Sequence, residues 1–222
     1  MADIHYLDNP LETEELLELL CPPVRNWFKD KFPDFTDPQK LAIPAIMDQE
    51  HLLLCSPTGS GKTLTAFLTI IDQLVRRALD NKLDKRVYCV YISPIKALAN
   101  DIQRNLIGPL TEISETYLPS RAQEIRVGLR TGDTPQSERQ KMLRNPPHIL
   151  ITTPESLAIA ITSPRFQPIV SEVEYMIVDE LHSLVPTKRG VHLALTLSYL
   201  DTLLNRPVQR IGISATMEPL ET

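Results

Sequence analysis

Glycine and cysteine are scarce in this chain. Seven glycines stand against 19 prolines in 222 residues, which excludes a collagen-type repeat or a glycine-rich linker. The cysteines, Cys21, Cys55 and Cys89, are odd in number and too few for a disulfide framework. Cys55 and Cys89 lie in apolar runs and read as small buried hydrophobes. No apolar run approaches the ~18 residues of a membrane span. Met1-Ala2-Asp3-Ile4 lacks the basic start and apolar stretch of a signal peptide, so a cytoplasmic protein is expected. Positive charge is also short. Lys and Arg number 23 against 28 Asp and Glu, a net charge of −5. That disfavours nucleic-acid binding by bulk charge and leaves a local basic groove open. What remains, 42% hydrophobic and 23% charged residues, is ordinary for a globular chain of one large domain or two small ones.

The chain has no repeat at a 20–50-residue period and no low-complexity tract. Residues 1–50 read as a helical segment, with Leu16, Leu17 and Leu20 on one face after an acidic turn. From residue 51 to 222 the pattern changes. Short apolar runs at His51–Cys55, Arg86–Ile92, Ile125–Leu129, His148–Thr152, Tyr175–Asp179 and Val208–Ile213 show little polar alternation, as strands buried on both faces do. Helical spacing lies between them, in Leu64, Phe67, Leu68, Ile71, Leu74 and Val75, and again in Leu193, Leu197, Leu200 and Leu204. Strand–helix alternation predicts an α/β fold with a mostly parallel central sheet and helices on both faces. Ligands bind such sheets at the carboxyl ends of the strands.

The first strand is followed by Ser56-Pro57-Thr58-Gly59-Ser60-Gly61-Lys62-Thr63 and an amphipathic helix. This is a phosphate-binding loop. Gly59 and Gly61 let backbone N–H groups turn inward, Lys62 reaches the β/γ-phosphates, and Thr63 offers a hydroxyl to Mg²⁺. The pattern ordinarily begins with Gly, where this chain has Ser56. The fifth strand delivers Asp179-Glu180-Leu181-His182. One carboxylate suits Mg²⁺ and its neighbour suits the attacking water. His182 reads as a link from the nucleotide site to the last strand. That strand runs into Ser214-Ala215-Thr216, whose hydroxyls can pair with the acidic segment; in isolation it reads as an ordinary turn.

Ser93-Pro94, Thr134-Pro135 and Thr153-Pro154 each follow a predicted strand. Each reads as an N-cap with proline at the first helical position. Three helix starts along one sheet edge can follow the phosphates of a nucleic-acid strand without bulk charge, or can simply be good caps. Lys96 falls in the first turn of one, and Arg130, Thr131 and Gly132 precede another. Upstream, Gln39 carries an amide suited to the adenine edge; unaided, it reads as a surface residue.

Taken together these motifs resemble the first motor domain of a superfamily 2 helicase. Ser93-Pro94-Ile95-Lys96-Ala97-Leu98, Arg130-Thr131-Gly132-Asp133, Thr153-Pro154-Glu155-Ser156-Leu157 and Lys188-Arg189-Gly190-Val191-His192 resemble the Lhr (large helicase-related) family. The resemblance covers nearly the whole chain from about Trp27. It implies a RecA-like P-loop NTPase domain at 51–222, preceded by a helical segment at 1–50 with an adenine-reading Gln39. It implies ATP and Mg²⁺ as cofactors and 3′-to-5′ movement on single-stranded nucleic acid, with unwinding of DNA and RNA–DNA duplexes. By position, Gln39, Pro57, Thr58, Gly59, Ser60, Gly61, Lys62 and Thr63 bind nucleotide. Thr63 and Asp179 hold Mg²⁺, and Lys62, Asp179 and Glu180 carry catalysis. Ser93, Pro94, Lys96, Arg130, Thr131, Gly132, Thr153, Pro154 and Glu155 contact the strand, and His182, Ser214 and Thr216 couple the two sites. Tyr6, Trp27 and Phe28 are candidates to stack on adenine, with core packing the competing role. Leu181-His182 departs from the Ala-Asp of RNA-directed DEAD-box relatives. Such motors need a second RecA-like domain bearing arginines toward the γ-phosphate. None is expected from Met217 to Thr222, so the chain reads as one domain of a longer helicase or a degenerate module. Were such an arginine internal, Arg130 and Arg189 are the first to consider. The competing class is a non-catalytic ATP- and nucleic-acid-binding module acting through a partner.

Overall fold

The computed structural model describes residues 4–57, 59–94, 99–204 and 206–215. All six expected strands form: β1 (Leu52–Cys55), β2 (Cys89–Ile92), β3 (Val127–Arg130), β4 (Ile149–Thr152), β5 (Tyr175–Val178) and β6 (Gln209–Ser214). They make one sheet in the order β1-β6-β5-β2-β4-β3, and every pairing is parallel. The helices among the described residues are α1 (Thr13–Leu19), α2 (Pro22–Lys31), α3 (Asp37–Met47), α4 (Lys62–Leu79), α5 (Ala99–Ile102), α6 (Gly108–Glu112), α7 (Gln136–Arg144), α8 (Pro154–Ile161), α9 (Gln167–Val170), α10 (Leu181–Leu184) and α11 (Lys188–Leu204). A wider π-type turn at Gln103–Ile107 joins α5 to α6, and a second at Ile113–Tyr117 continues α6, giving one long irregular helix.

Alternate strand residues point to opposite faces, and each face has its own core. Cys89 and Tyr91 of β2, with Tyr175 and Ile177 of β5, pack under α4. Val90, Ile92, Met176 and Val178 face the other way, against α8 and α11. That two-sided burial explains the unbroken apolar runs. All six periodic residues of α4 are buried. The residues of α1–α3, including Leu16, Val24, Trp27 and Ile43, join the core on the α4 face. Pro44 inside α3 cannot donate to the Lys40 carbonyl, the partner a helix interior requires. Leu11 N–H takes that carbonyl instead, at 3.3 Å, and so fastens the N-terminal segment. Cys21 and Cys89 are buried, whereas Cys55 is only half-buried, because β1 is an edge strand with a looser cover. No described helix is long and apolar enough to cross a membrane.

Candidate functional site

Parallel strands bring their carboxyl ends to one rim, and the strand order sorts the motifs along it. The β1, β6 and β5 side carries the phosphate loop, Ser214-Ala215 and Asp179-Glu180. The β2, β4 and β3 side carries Ser93-Pro94, Thr153-Pro154-Glu155 and Arg130-Thr131-Gly132. Thr58, Lys96 and Thr216 lie outside the described residues.

The phosphate loop turns on two left-handed glycines, Gly59 at φ +85° and Gly61 at φ +84°, a conformation other residues adopt at a cost of roughly 1–2 kcal/mol. Gly61 also caps α4, and a Cβ there would lie 3.0 Å from Gln39 Nε2. Ser56 Oγ meets Ser60 Oγ at 2.5 Å, so the serine in place of the expected glycine closes the loop on itself. Lys62 Nζ donates to the Pro57 carbonyl at 2.6 Å and to the Ser56 carbonyl. The ammonium thus rests on two carbonyl oxygens of the loop itself. Burial lowers the Lys62 pKa, and nearby Asp179 and Glu180 oppose that shift.

Lys62, Thr63, Asp179 and Glu180 line one cleft of about 820 Å³ together with Gln39 and Gly61. Asp179 is buried at the end of β5, and burial raises its pKa. Its Oδ1 accepts from Glu180 N–H at 2.8 Å, and its Oδ2 accepts from the Tyr91 hydroxyl. Sequence reasoning missed Tyr91. The signal was present: a tyrosine in a strand buried on both faces must find a partner for its hydroxyl.

Glu180 sits at φ 53°, ψ 39°, a left-handed conformation that a non-glycine residue keeps only where its surroundings impose it. Its Oε2 lies 3.1 Å from His182 Nε2. His182 Nδ1 is 3.2 Å from Ala215 N and 3.2 Å from Ser214 Oγ. A backbone N–H can only donate, so Nδ1 is the bare nitrogen and Nε2 carries the proton toward Glu180. His182 thereby joins Glu180, beyond the end of β5, to the end of β6.

Gln39 is buried, not a surface residue. Its Oε1 accepts from Thr36 N–H at 2.9 Å in a capping box. The carbonyl half of the amide is therefore in use, and the NH₂ half is the part beside the phosphate loop. Thr36 Oγ1 also donates to the Ser60 carbonyl at 3.1 Å. Trp27 and Phe28 are core residues. Trp27 Nε1 donates to Glu112 at 2.6 Å, and Phe28 stacks on Phe35 with ring centres 3.9 Å apart. Tyr6 is exposed.

On the other half of the rim, Thr153 caps α8 as expected. Its hydroxyl accepts from Ser156 N–H at 3.4 Å, and Pro154 opens the helix. Thr134 is not a cap: α7 begins at Gln136 after Pro135. Its hydroxyl instead accepts from Thr131 N–H at 2.8 Å, closing the turn that leaves β3. Arg139 holds that turn, donating to the carbonyls of Thr134, Thr131 and Gly132 at 2.9, 3.2 and 3.0 Å. Ser93 is buried against β4, its N–H on the Thr152 carbonyl at 3.1 Å; the helix that follows is described only from Ala99, so its role as a cap lies outside the described residues. Arg130 is buried with its guanidinium 4.6 Å from the Phe166 ring centre. Arg189 is held by Glu155 and the Pro94 carbonyl. Neither arginine is among the residues lining the nucleotide cleft, in keeping with the expectation that the γ-phosphate arginine lies outside this chain.

Comparison with known proteins agrees with this geometry. The DEAD/DEAH box helicase model matches residues 36–222. The chain is 50% identical over 222 residues to the ATP-dependent helicase Lhr-Core of Methanocaldococcus jannaschii, covering 99% of this chain and 26% of that one. It is 46% identical over 218 residues to the Lhr helicase/uracil glycosylase of Escherichia coli, covering 95% and 14%. The solved structure of Mycobacterium smegmatis helicase Lhr bound to ssDNA and AMP-PNP superposes with a TM-score of 0.82 at 45% identity, over 93% of this chain and 26% of that one. The chain thus spans about a quarter or less of these relatives' length. With its phosphate loop, acidic strand end and all-parallel sheet, this chain belongs to the DEAD/DEAH box helicase family.

Proposed function

We propose that the chain is the ATP-binding motor domain of a nucleic-acid helicase that moves 3′ to 5′ on one strand of DNA or RNA–DNA duplexes. The observation that carries this reading is the meeting of Lys62, Asp179 and Glu180 in one cleft, with His182 joining Glu180 to the end of β6. The Lhr relative bound to ssDNA and AMP-PNP supports both ligands.

The cleft fits a triphosphate and a hard cation. Gly59 and Gly61 open the loop, and a Cβ at Gly59 would touch nothing. Thr63 and Asp179 offer oxygen donors only. Among the described residues no three metal-ligating side chains cluster, and Mg²⁺ characteristically takes one or two protein oxygens plus phosphate. When bound, Mg²⁺ neutralises charge on the β/γ-oxygens. Lys62 exchanges the Ser56 and Pro57 carbonyls for phosphate oxygens. Glu180, held by His182, orients the water that attacks. The arginine that stabilises the transition state comes from a second RecA-like domain of the same longer protein, a contribution of about 10³–10⁵ in turnover. The strand lies across the loops after β2, β3 and β4, at Pro94, Thr131 and Thr153.

The test compares this chain with one extended to include a second motor domain. The extended protein should show strand-stimulated ATP hydrolysis and should unwind duplexes with a 3′ tail in preference to a 5′ tail. Lys62→Ala should abolish nucleotide binding in both. Unchanged nucleotide binding in Lys62→Ala, or preference for a 5′ tail, would overturn the respective part.

A further inference from the structure

Arg189 opens α11 and reaches across to two of the strand-binding loops. Its Nε donates to Glu155 Oε1 at 2.6 Å, and its Nη2 to Glu155 Oε2 at 3.2 Å. The same Nη2 donates to the Pro94 carbonyl at 3.2 Å. One guanidinium therefore ties the loop after β2 to the first turn of α8. The fork is rigid and planar, which lysine cannot reproduce.

Glu155 makes this contact consequential. A carboxylate in the first turn favours the helix, but next to Thr153 and Pro154 its charge would repel any phosphate bound at that helix start. Arg189 is the foremost cause holding the Glu155 pKa down, so the carboxylate is ionised and its charge is met by the guanidinium. Gly190 fixes where Arg189 stands. A Cβ on Gly190 would lie 2.3 Å from the Leu184 carbonyl oxygen, so α11 packs backbone to backbone on the end of α10. Thr187 Oγ1 donates to the same carbonyl at 2.7 Å. α10 itself begins directly after Glu180. The short, tightly packed path from Glu180 to Arg189 thus connects the nucleotide cleft with the strand-binding loops.

We propose that Arg189 is the positioning residue of the strand-binding face, acting by cancelling the Glu155 charge rather than by touching the strand. This rests on the strand-binding role proposed above for these loops. A bridge this exposed adds little to folding. Its effect is on a phosphate: one uncompensated carboxylate at a distance of about 6 Å in a solvent-rich setting weakens binding by roughly 3- to 10-fold.

The experiment measures binding of a fluorescent single-stranded oligo-dT to the 222-residue chain by anisotropy, at several low salt concentrations. Arg189→Ala should weaken binding by about 3- to 10-fold. Arg189→Ala with Glu155→Gln should bind about 3- to 10-fold more tightly than Arg189→Ala and keep the wild-type salt slope, because the uncompensated carboxylate is gone. If the double variant stays as weak as Arg189→Ala, with a salt slope shallower by about 0.7, Arg189 contacts the strand itself and the inference falls. It falls equally if Arg189→Ala binds as wild type does. Absence of wild-type binding would remove the strand-binding role as well, which separates the two failures.

Discussion

Strand β5 has a carboxylate at each end, and the two are treated in opposite ways. Glu174, just before the strand, receives both nitrogens of Arg77 at 2.8 and 2.7 Å and Arg86 at 2.8 Å. The two guanidiniums also lie over the Tyr88 ring, 4.7 and 3.8 Å from its centre. The Glu174 pKa is lowered: burial opposes ionisation as the largest single effect, but the two arginines together outweigh it. Asp179, just after the strand, is more deeply buried, and among the described residues its hydrogen-bond donors are Tyr91 and Glu180 N–H. Burial wins there, and its pKa is raised. The amino end of the sheet is a closed electrostatic unit. The carboxyl end holds a buried carboxylate that no cation among the described residues bonds, a backbone kept left-handed at Glu180 and an ammonium resting on carbonyls. Uncompensated groups collect where a charged ligand completes them.

The largest expected effect is at the carboxyl end. Glu180→Gln in a protein carrying both motor domains should keep ATP affinity and lower turnover by about 10²–10⁴-fold. Parallel losses of binding and turnover would assign Glu180 to structure alone. Next is Tyr91→Phe, which removes the hydroxyl on Asp179 and little else. Outer-shell changes of this kind cost ~10–100-fold in metal affinity. Nucleotide titrations with and without Mg²⁺ should show a weaker Mg²⁺-dependent part and an unchanged metal-free part. An equal change in both would mean that Tyr91 supports only the core.

At the amino end the readout is stability. Glu174→Gln should cost about 1–3 kcal/mol by urea unfolding and leave nucleotide binding intact. The pH dependence has a definite sign. A folded pKa below the unfolded one gives stability that is present above the ordinary glutamate value of 4.5 and lost as pH falls through the folded value. The gap between wild type and Glu174→Gln should therefore close on acidification below about pH 4.5. The smallest effect on stability, with the opposite sign, is expected for Asp179→Asn. Removing a buried carboxylate should leave the metal-free chain as stable or up to ~1 kcal/mol more stable, about 2–4 °C in Tm, while turnover is lost. A clear fall in Tm would show that the Tyr91 and Glu180 hydrogen bonds outweigh the burial cost, and the contrast between the two ends would fail.

Much of the site was legible because its chemistry is local. The phosphate loop is a contiguous string between a strand and a helix, and the six apolar runs each became a strand. Thr153-Pro154 was read correctly as a cap, since a cap needs only its own next three residues. Thr134-Pro135 was not. The turn fixed by Arg139 and the Thr134 hydroxyl lies between residues that the cap pattern does not weigh. Gln39 was misjudged for the same reason, because its burial depends on α3 docking against the phosphate loop. Arg130 was read as a strand contact and Arg189 as part of a family motif, and each has its partner on a distant segment.

The sequence by itself determined which segments are strands and helices and at which end of the sheet the motifs collect. These follow from backbone periodicity and from side-chain types at short spacing. Only the tertiary structure decided the strand order, since which buried run pairs with which depends on packing between segments far apart in the chain. That order places the motifs after β1, β6 and β5 on one half of the rim and those after β2, β4 and β3 on the other. It also sets Tyr91 against Asp179, Arg189 against Glu155, and two arginines against Glu174. The charge state of each of these carboxylates is a property of its neighbours across the fold, because burial and partner charge act through space rather than along the chain.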